Sequence, residues 1–345
     1  MSPLGALPAH FRRPRLLIVG CGDVGTRVAS RLLHGPGAQR VRVLALTTEP
    51  ARLPALRALG ITPLRGNLDA PATLRRLAGL ATHVLHLAPP PTNTTGSDNW
   101  WRDLRTLALV RALRRRSLPT ALVYGSTSGV YGDCGGAWVS ESRAVAPNTP
   151  RAQRRVDAER AVRHLGRSGV RASILRIPGI YAPNRDGGTP EARLRKGTPV
   201  LEAQDDVFTN HIHADDLARA CTAALWRGAP QRIYHASDDS ELKMGDYFDL
   251  AADLYGLPRP PRVPRSTAKD HLPLVLLSFM GESRRLDNTR LHRELRVQLH
   301  YPTVREGLVG SSRFGTSRPG GSVVAADAIA APVAGGALQG GLGGR

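Results

Sequence analysis

The chain has 345 residues, room for one large domain or two, and its 41% hydrophobic and 22% charged residues are those of a globular protein. No apolar run approaches the ~18 residues of a membrane span, and MSPLGALPAHFRRPR lacks the apolar core of a signal peptide, so a cytoplasmic protein with no membrane partner is expected. The net charge of +20 rests on arginines spread along nearly the whole chain, with Lys196, Lys243 and Lys269 the only lysines; without zinc-finger spacing or an aromatic-basic RNA-binding signature, nucleic acid is not the expected partner.

RLLIVG, residues 15–20, is an apolar run long enough for a buried strand, and a helical pattern follows from about Asp23 to Leu33. Strand VRVLAL (41–46), a helix over 50–59, a strand over 61–65, a helix over 71–79 and strand THVLHLA (82–88) come next. A helix over 100–115 precedes strand TALVYGS (120–126), and an arginine-rich helix leads into VRASILRI (170–177). Strands alternating with helices of roughly 10–15 residues imply βαβ units and a parallel sheet covered on both faces. Right-handed crossovers then wind it in both directions.

After about residue 178 the pattern becomes irregular. YAPNRDGGTP reads as loop, 214–226 as helix, QRIYHAS as a short strand, 244–255 as helix and LPRPPRVPR as an extended connector. The expected class is therefore α/β, a Rossmann-type doubly wound parallel sheet with a small C-terminal α+β lid on the carboxyl ends of its strands. The expected boundaries are 1–13 for an N-terminal arm, 14–180 for the sheet domain, 181–310 for the small lid domain and 311–345 for a disordered Gly/Ala-rich tail. That tail carries nine glycines in 35 residues and no amphipathic period.

Gly20-Cys21-Gly22-Asp23-Val24-Gly25 fits GxGxxG directly after the first strand and at the opening of a helix. Gly20 permits the tight turn, Gly22 lets the backbone approach a pyrophosphate, and Gly25 lets helix and strand pack closely. The helix N-terminus then presents free N–H groups to the phosphates. The second strand ends Leu46-Thr47-Thr48, followed by Glu49-Pro50-Ala51-Arg52. Thr48 and Arg52 suit the 2′-phosphate of NADP, whereas Glu49 suits the ribose of NAD, so NADP or NAD is the expected cofactor with NADP slightly favoured.

Other signals are weaker. Cys21, Cys134 and Cys221 show no CxxC or metal-ligand spacing, and reduced thiols are expected. His211 and His213 alternate as in a strand and face one side, but no third ligand accompanies them, so no metal is expected. Asp215 and Asp216 open a helix, where carboxylates cap N–H groups.

GCGDVG, GNLD (66–69), HLA (86–88), STSGVYG (126–132), LRIPGIY (175–181) and NHIHADDLA (210–218) occur in an order that resembles the extended, epimerase/dehydratase-like branch of the short-chain dehydrogenase/reductase superfamily. The resemblance covers roughly residues 15–310 and implies an NAD(P)-binding Rossmann domain (14–180) with a small C-terminal substrate domain (181–310), and a Ser/Thr, a Tyr and a Lys acting beside the nicotinamide. Carried over by position, it implies that Asn67 and Leu68 lie near the adenine and that Leu87, Ala88 and Pro89 line the cofactor groove. Thr127 takes the place of the hydroxyl that orients a substrate oxygen.

The family's tyrosine follows a proline in a P-Y-x-x-x-K-x-x-x-E arrangement. Aligned on Pro150 and Glu159, this chain carries Arg151 in place of Tyr and Arg155 in place of Lys. Arg155 retains a cation for the nicotinamide ribose. Arg151 stays protonated and cannot be a general acid or base, but two cations facing the groove suit anions: the cofactor and an acidic ligand. Tyr131 and Tyr181 are the phenols left to replace the missing one. Thr127, Tyr131 and Arg151 are thus the expected reaction-site residues. The resemblance implies an NAD(P)-binding oxidoreductase or isomerase acting on a small polar, anionic or sugar-nucleotide-like substrate, with a homodimer left open. The alternative is a non-catalytic NAD(P)-binding sensor or scaffold.

Overall fold

RLLIV alternates its side chains between two apolar layers: Leu16 and Ile18 enter one core cluster, Leu17 and Val19 the other. A strand that must be covered on both faces belongs inside a parallel sheet, and that is where it lies. The computed structural model of the protein describes residues 13–35, 41–91 and 99–309. The tail expected from residue 311, and all but the last residue of the expected arm, lie outside them.

The central sheet has seven strands: β1 (Arg15–Val19), β2 (Arg42–Thr47), β3 (Thr62–Arg65), β4 (His83–His86), β5 (Ala121–Thr127), β6 (Arg171–Ile177) and β7 (Arg232–His235). All six pairings are parallel, in the order β3-β2-β1-β4-β5-β6-β7. The order reverses direction at β1, so the crevice at its carboxyl end is where such sheets bind ligands. Helices α1 (Asp23–His34), α2 (Leu53–Ala58), α3 (Leu104–Leu113), α4 (Pro150–Gly166) and α5 (Ala214–Arg227) pack around it, and α6 (Met244–Tyr255) lies outside it. Residues of α1 and α5 share one core cluster, those of α3 and α4 the other. Residues 71–77 form a 3-10 turn rather than the expected helix, with Pro71 at its start and Gly79 at a φ of +70° just beyond its end.

The division expected at residue 180 is not a clean cut. β7 pairs with β6 from far beyond it, and α5 packs on α1. The small second layer is assembled from the segments on either side of this return. Two-residue strands 200–201 and 262–263 pair in parallel there, and 208–209 pairs antiparallel with 242–243. α6 packs with Tyr181, Leu194, Val304 and Leu308 in a separate apolar cluster. Among the described residues, no helix is long and apolar enough to cross a membrane.

Candidate functional site

The glycine loop between β1 and α1 forms one wall of the crevice. Gly20 has a φ of +89°, and a Cβ there would lie 2.4 Å from the Ala88 backbone nitrogen, inside the chain leaving β4. A Cβ on Gly25 would come within 3.1 Å of both the Gly20 carbonyl oxygen and Ile18 Cγ2, so this glycine sets the helix-to-strand distance. Gly22 is different, because a Cβ there would meet nothing within 4 Å. It is the N-cap of α1 and offers no side chain to the first-turn N–H groups, which are left for a ligand. Val24 is buried beneath the loop, and these residues fit a dinucleotide pyrophosphate.

Asp23 ties this wall to the second layer. Its carboxylate accepts from Arg27 Nε at 3.0 Å and from Arg185 Nη1 at 2.7 Å, and Arg27 donates in turn to Asn184 Oδ1 at 2.7 Å and to Asp215. The loop YAPNRDGG is thereby held over the start of α1. Asp215 is a bridge to Arg27 as well as a first-turn acid, while Asp216 accepts the His300 and Tyr301 backbone N–H groups, both at 2.9 Å. His213 caps α5, its Nδ1 accepting from the Asp215 N–H at 3.2 Å.

At the end of β2, Thr48 and Glu49 are exposed, and Arg52 reaches back to donate from Nη2 to the Cys21 carbonyl at 2.6 Å. Arg52 therefore sits against the glycine loop. Asn67 spends its side-chain oxygen on the Asp69 N–H at 2.9 Å, and Leu68 packs in the core beneath. Past β4, Leu87 is half-buried, Ala88 buried and Pro89 exposed.

The facing wall is the end of β5 and the start of α4. Thr127 Oγ1 accepts from the Gly129 N–H at 3.2 Å. α4 begins with Thr149 capping the Ala152 N–H and Pro150 in the first turn, which aims Arg151 and Arg155 along one helix face. Arg155 donates to the Gly125 carbonyl at 2.7 Å and to the Tyr124 hydroxyl at 3.1 Å. Arg151 lies over the Phe279 ring at 5.5 Å. Burial, and then the Arg155 charge, push its guanidinium below its ordinary value, while Glu282 acts in the opposite sense.

Glu282 is a residue that the sequence did not single out. It pairs with Arg284 at 2.9 Å, and Arg284 also donates to the Gly132 carbonyl at 2.8 Å. A Cβ on Gly129 would lie 3.6 Å from Thr127 Oγ1 and 3.9 Å from Glu282 Oε2, so hydroxyl and carboxylate flank the same glycine. Residues 127 and 282 are too far apart in the chain for any spacing rule to connect them.

Tyr131, expected to offer a phenol to the groove, does not. It is 1% exposed, its hydroxyl is 2.5 Å from His235 Nε2, and Arg176 lies over its ring at 4.7 Å. Burial raises the phenol to about 12 and lowers His235 to about 4. Tyr181 is likewise buried, and its hydroxyl donates to the Thr303 carbonyl at 3.3 Å. Beneath both walls, Glu159 accepts from Arg176 Nε at 3.1 Å and Nη2 at 2.7 Å and from the Ser126 hydroxyl at 2.6 Å, all three side chains being buried. That ion pair clamps α4 to β5 and β6.

The family model described as the NAD dependent epimerase/dehydratase family matches residues 16–236. The chain belongs to that family. Among solved structures, it is similar to a functionally unknown conserved protein from Silicibacter pomeroyi, with 29% identity and a TM-score of 0.71 over 87% of this chain and 98% of that one. It shares its fold with UDP-glucuronic acid 4-epimerase from Bacillus cereus in complex with UDP-glucuronic acid and NAD, at 18% identity and a TM-score of 0.65 over 85% and 96% of the two chains. A dTDP-glucose 4,6-dehydratase from Streptomyces venezuelae with NAD bound aligns at 22% identity and a TM-score of 0.67, over 87% and 96%. No curated protein matches the chain in sequence.

Proposed function

We propose that the chain binds a nicotinamide dinucleotide in the crevice at β1 and acts there as an oxidoreductase or isomerase on a polar, anionic, sugar-nucleotide-like substrate. The observation that carries this reading is the contrast within the glycine loop: Gly20 is pressed against Ala88, while the space over Gly22 is open. Gly20, Gly22, Asp23, Val24 and Gly25 would hold the pyrophosphate end. Thr48 and Arg52 would hold a 2′-phosphate, Asn67 and Leu68 would lie near the adenine, and Leu87, Ala88, Pro89 and Arg155 would line the path to the nicotinamide. The bound nicotinamide supplies a hydride acceptor or donor. The UDP-glucuronic acid bound by the Bacillus cereus epimerase, a protein of this fold, supports the substrate class.

Thr127 would orient a substrate oxygen, and Arg151 would hold an acidic group by charge-assisted hydrogen bonds. Because a guanidinium does not give up its proton, proton transfer would fall to Glu282, whose carboxylate flanks Gly129 as the Thr127 hydroxyl does. Isothermal titration calorimetry with NAD(H) and NADP(H) tests the cofactor site, and cofactor turnover together with product analysis for epimerised or dehydrated sugar from UDP-glucose and UDP-glucuronic acid tests the chemistry. Absence of dinucleotide binding overturns the reading. Binding without turnover on any polar substrate selects the second one, a non-catalytic sensor, which the burial of Tyr131 and Tyr181 favours.

A further inference from the structure

Most arginines with ordered partners in this chain sit on a carboxylate or a carbonyl, as Arg105 does on Asp69 and Arg232 on Glu294. Four others line one groove of about 220 Å³: Arg31, Arg219, Arg227 and Arg296. Arg219, Thr222, Ala223, Trp226 and Arg227 follow i, i+3, i+4, i+7 and i+8, a single face of α5. Arg31 comes from the last turn of α1, about 12 Å along the helix from Asp23 at 1.5 Å per residue. The groove is thus well removed from the glycine loop.

Arg31, Arg227 and Arg296 make no side-chain hydrogen bond or ion pair among the described residues. Arg219 donates to His300 Nε2 at 2.6 Å and stands 3.6 Å from Asp216, whose carboxylate already accepts two backbone N–H groups. Burial, and then the Arg31 charge, push the Arg219 guanidinium below its ordinary value. The groove therefore gathers four cations with one carboxylate, itself committed elsewhere.

Helix dipoles account for part of this, since Arg31 and Arg227 occupy last turns, where cations are stabilised. They do not account for Arg219, in the second turn of α5, or for Arg296. Arg296 has a φ of +51°, a left-handed conformation that is costly for a residue with a side chain. Its neighbours Leu295 and Val297 are buried, so the turn sinks both and sets Arg296 on the groove. Trp226, stacked on His83 with ring centroids 5.2 Å apart, gives the groove a rigid wall.

We propose that this groove is a second anion site, which binds a compact phosphate-bearing small molecule through Arg31, Arg219, Arg227 and Arg296. Planar guanidinium forks match phosphate oxygens two at a time, and several forks converging on one small volume match a group with several charged oxygens. The volume is below the roughly 300 Å³ at which pockets for drug-sized ligands begin, so the occupant is a phosphate or diphosphate with little attached to it. The site is independent of the dinucleotide reading, and the two fail separately.

The test is calorimetry of the full chain with pyrophosphate and with orthophosphate, repeated for Arg296→Gly, Arg227→Gln and Arg52→Ala. Arg296→Gly removes a groove cation and also relieves the left-handed backbone, so it keeps or raises the melting temperature and separates binding from folding. The expected result is pyrophosphate binding that weakens about tenfold or more in Arg296→Gly and Arg227→Gln and is unchanged in Arg52→Ala. Equal affinity in the parent and both groove variants overturns the proposal, as does weakening confined to Arg52→Ala, which would place the anion at the glycine loop. A single-stranded oligonucleotide that binds more tightly than pyrophosphate, and is weakened by the same groove variants, overturns the small-molecule assignment in favour of nucleic acid.

Discussion

The two walls of the crevice obey different rules. On the α1 side, backbone does the work: Gly20 is pinned against Ala88, Gly25 against Ile18, and Gly22 faces open space. On the α4 side, side chains do it, through Thr127, Arg151 and Arg155. A backbone cradle is specified by what its residues lack, and it survives drift in every other position. Side-chain chemistry depends on one functional group at one place. On the proposed reading, the fold and its cradle persist without a proton-transferring phenol, so that binding and chemistry are separable.

The largest expected effect tests what holds the α4 wall in place. Glu159→Ala strips the buried Arg176 of its bidentate partner and Ser126 of its acceptor, and removing one partner of a buried pair costs about 3–5 kcal/mol. Urea denaturation measures this. A loss under about 1 kcal/mol would mean that the pair does not clamp the wall.

The next pair of substitutions separates the two roles within the glycine loop. Gly20→Ala costs about 1–2 kcal/mol from left-handed backbone alone, before the collision with Ala88, and dinucleotide binding is lost with it. Gly22→Ala meets no protein atom, so its stability stays within about 1 kcal/mol of the parent while dinucleotide affinity falls. Thermal melts read beside calorimetry give both quantities. Parallel losses in the two variants would erase the distinction between a structural glycine and a ligand-facing one.

On the α4 side, Arg155→Ala is expected to weaken NAD(P)H binding by roughly tenfold, the value of one charge-assisted hydrogen bond. Arg151→Ala leaves cofactor affinity unchanged and weakens acidic sugar nucleotides instead, measured by competition calorimetry. If neither affinity moves in either variant, both arginines are structural and the groove belongs to the first wall alone. The smallest effect concerns cofactor choice: Arg52→Ala is expected to narrow an NADP-over-NAD preference severalfold, and equal affinities in the parent protein would remove the 2′-phosphate contact from the reading.

By itself, the sequence determined the parts whose signals are local. Apolar runs such as RLLIV and ALVYGST became central strands because both of their faces need cover, and GCGDVG became a cradle because its glycines act on their own turn and on the strand beside it. Pro150, Arg151 and Glu159, which the resemblance aligns as one motif, lie within one helix. Only the tertiary structure decided the rest. Tyr131 lies in a motif that reads as a loop beside the groove, yet it turns into the core to meet His235, from the seventh strand. Residues 232–235 read as part of a lid and instead close the main sheet. Glu282 and Thr127 flank Gly129, and Arg296 and Arg31 line one groove, across separations that no periodicity spans. The physical reason is the same in each case: hydrophobic period and glycine geometry act within a turn or a strand, whereas the partner of a long polar side chain is chosen by which distant segments the buried core brings together.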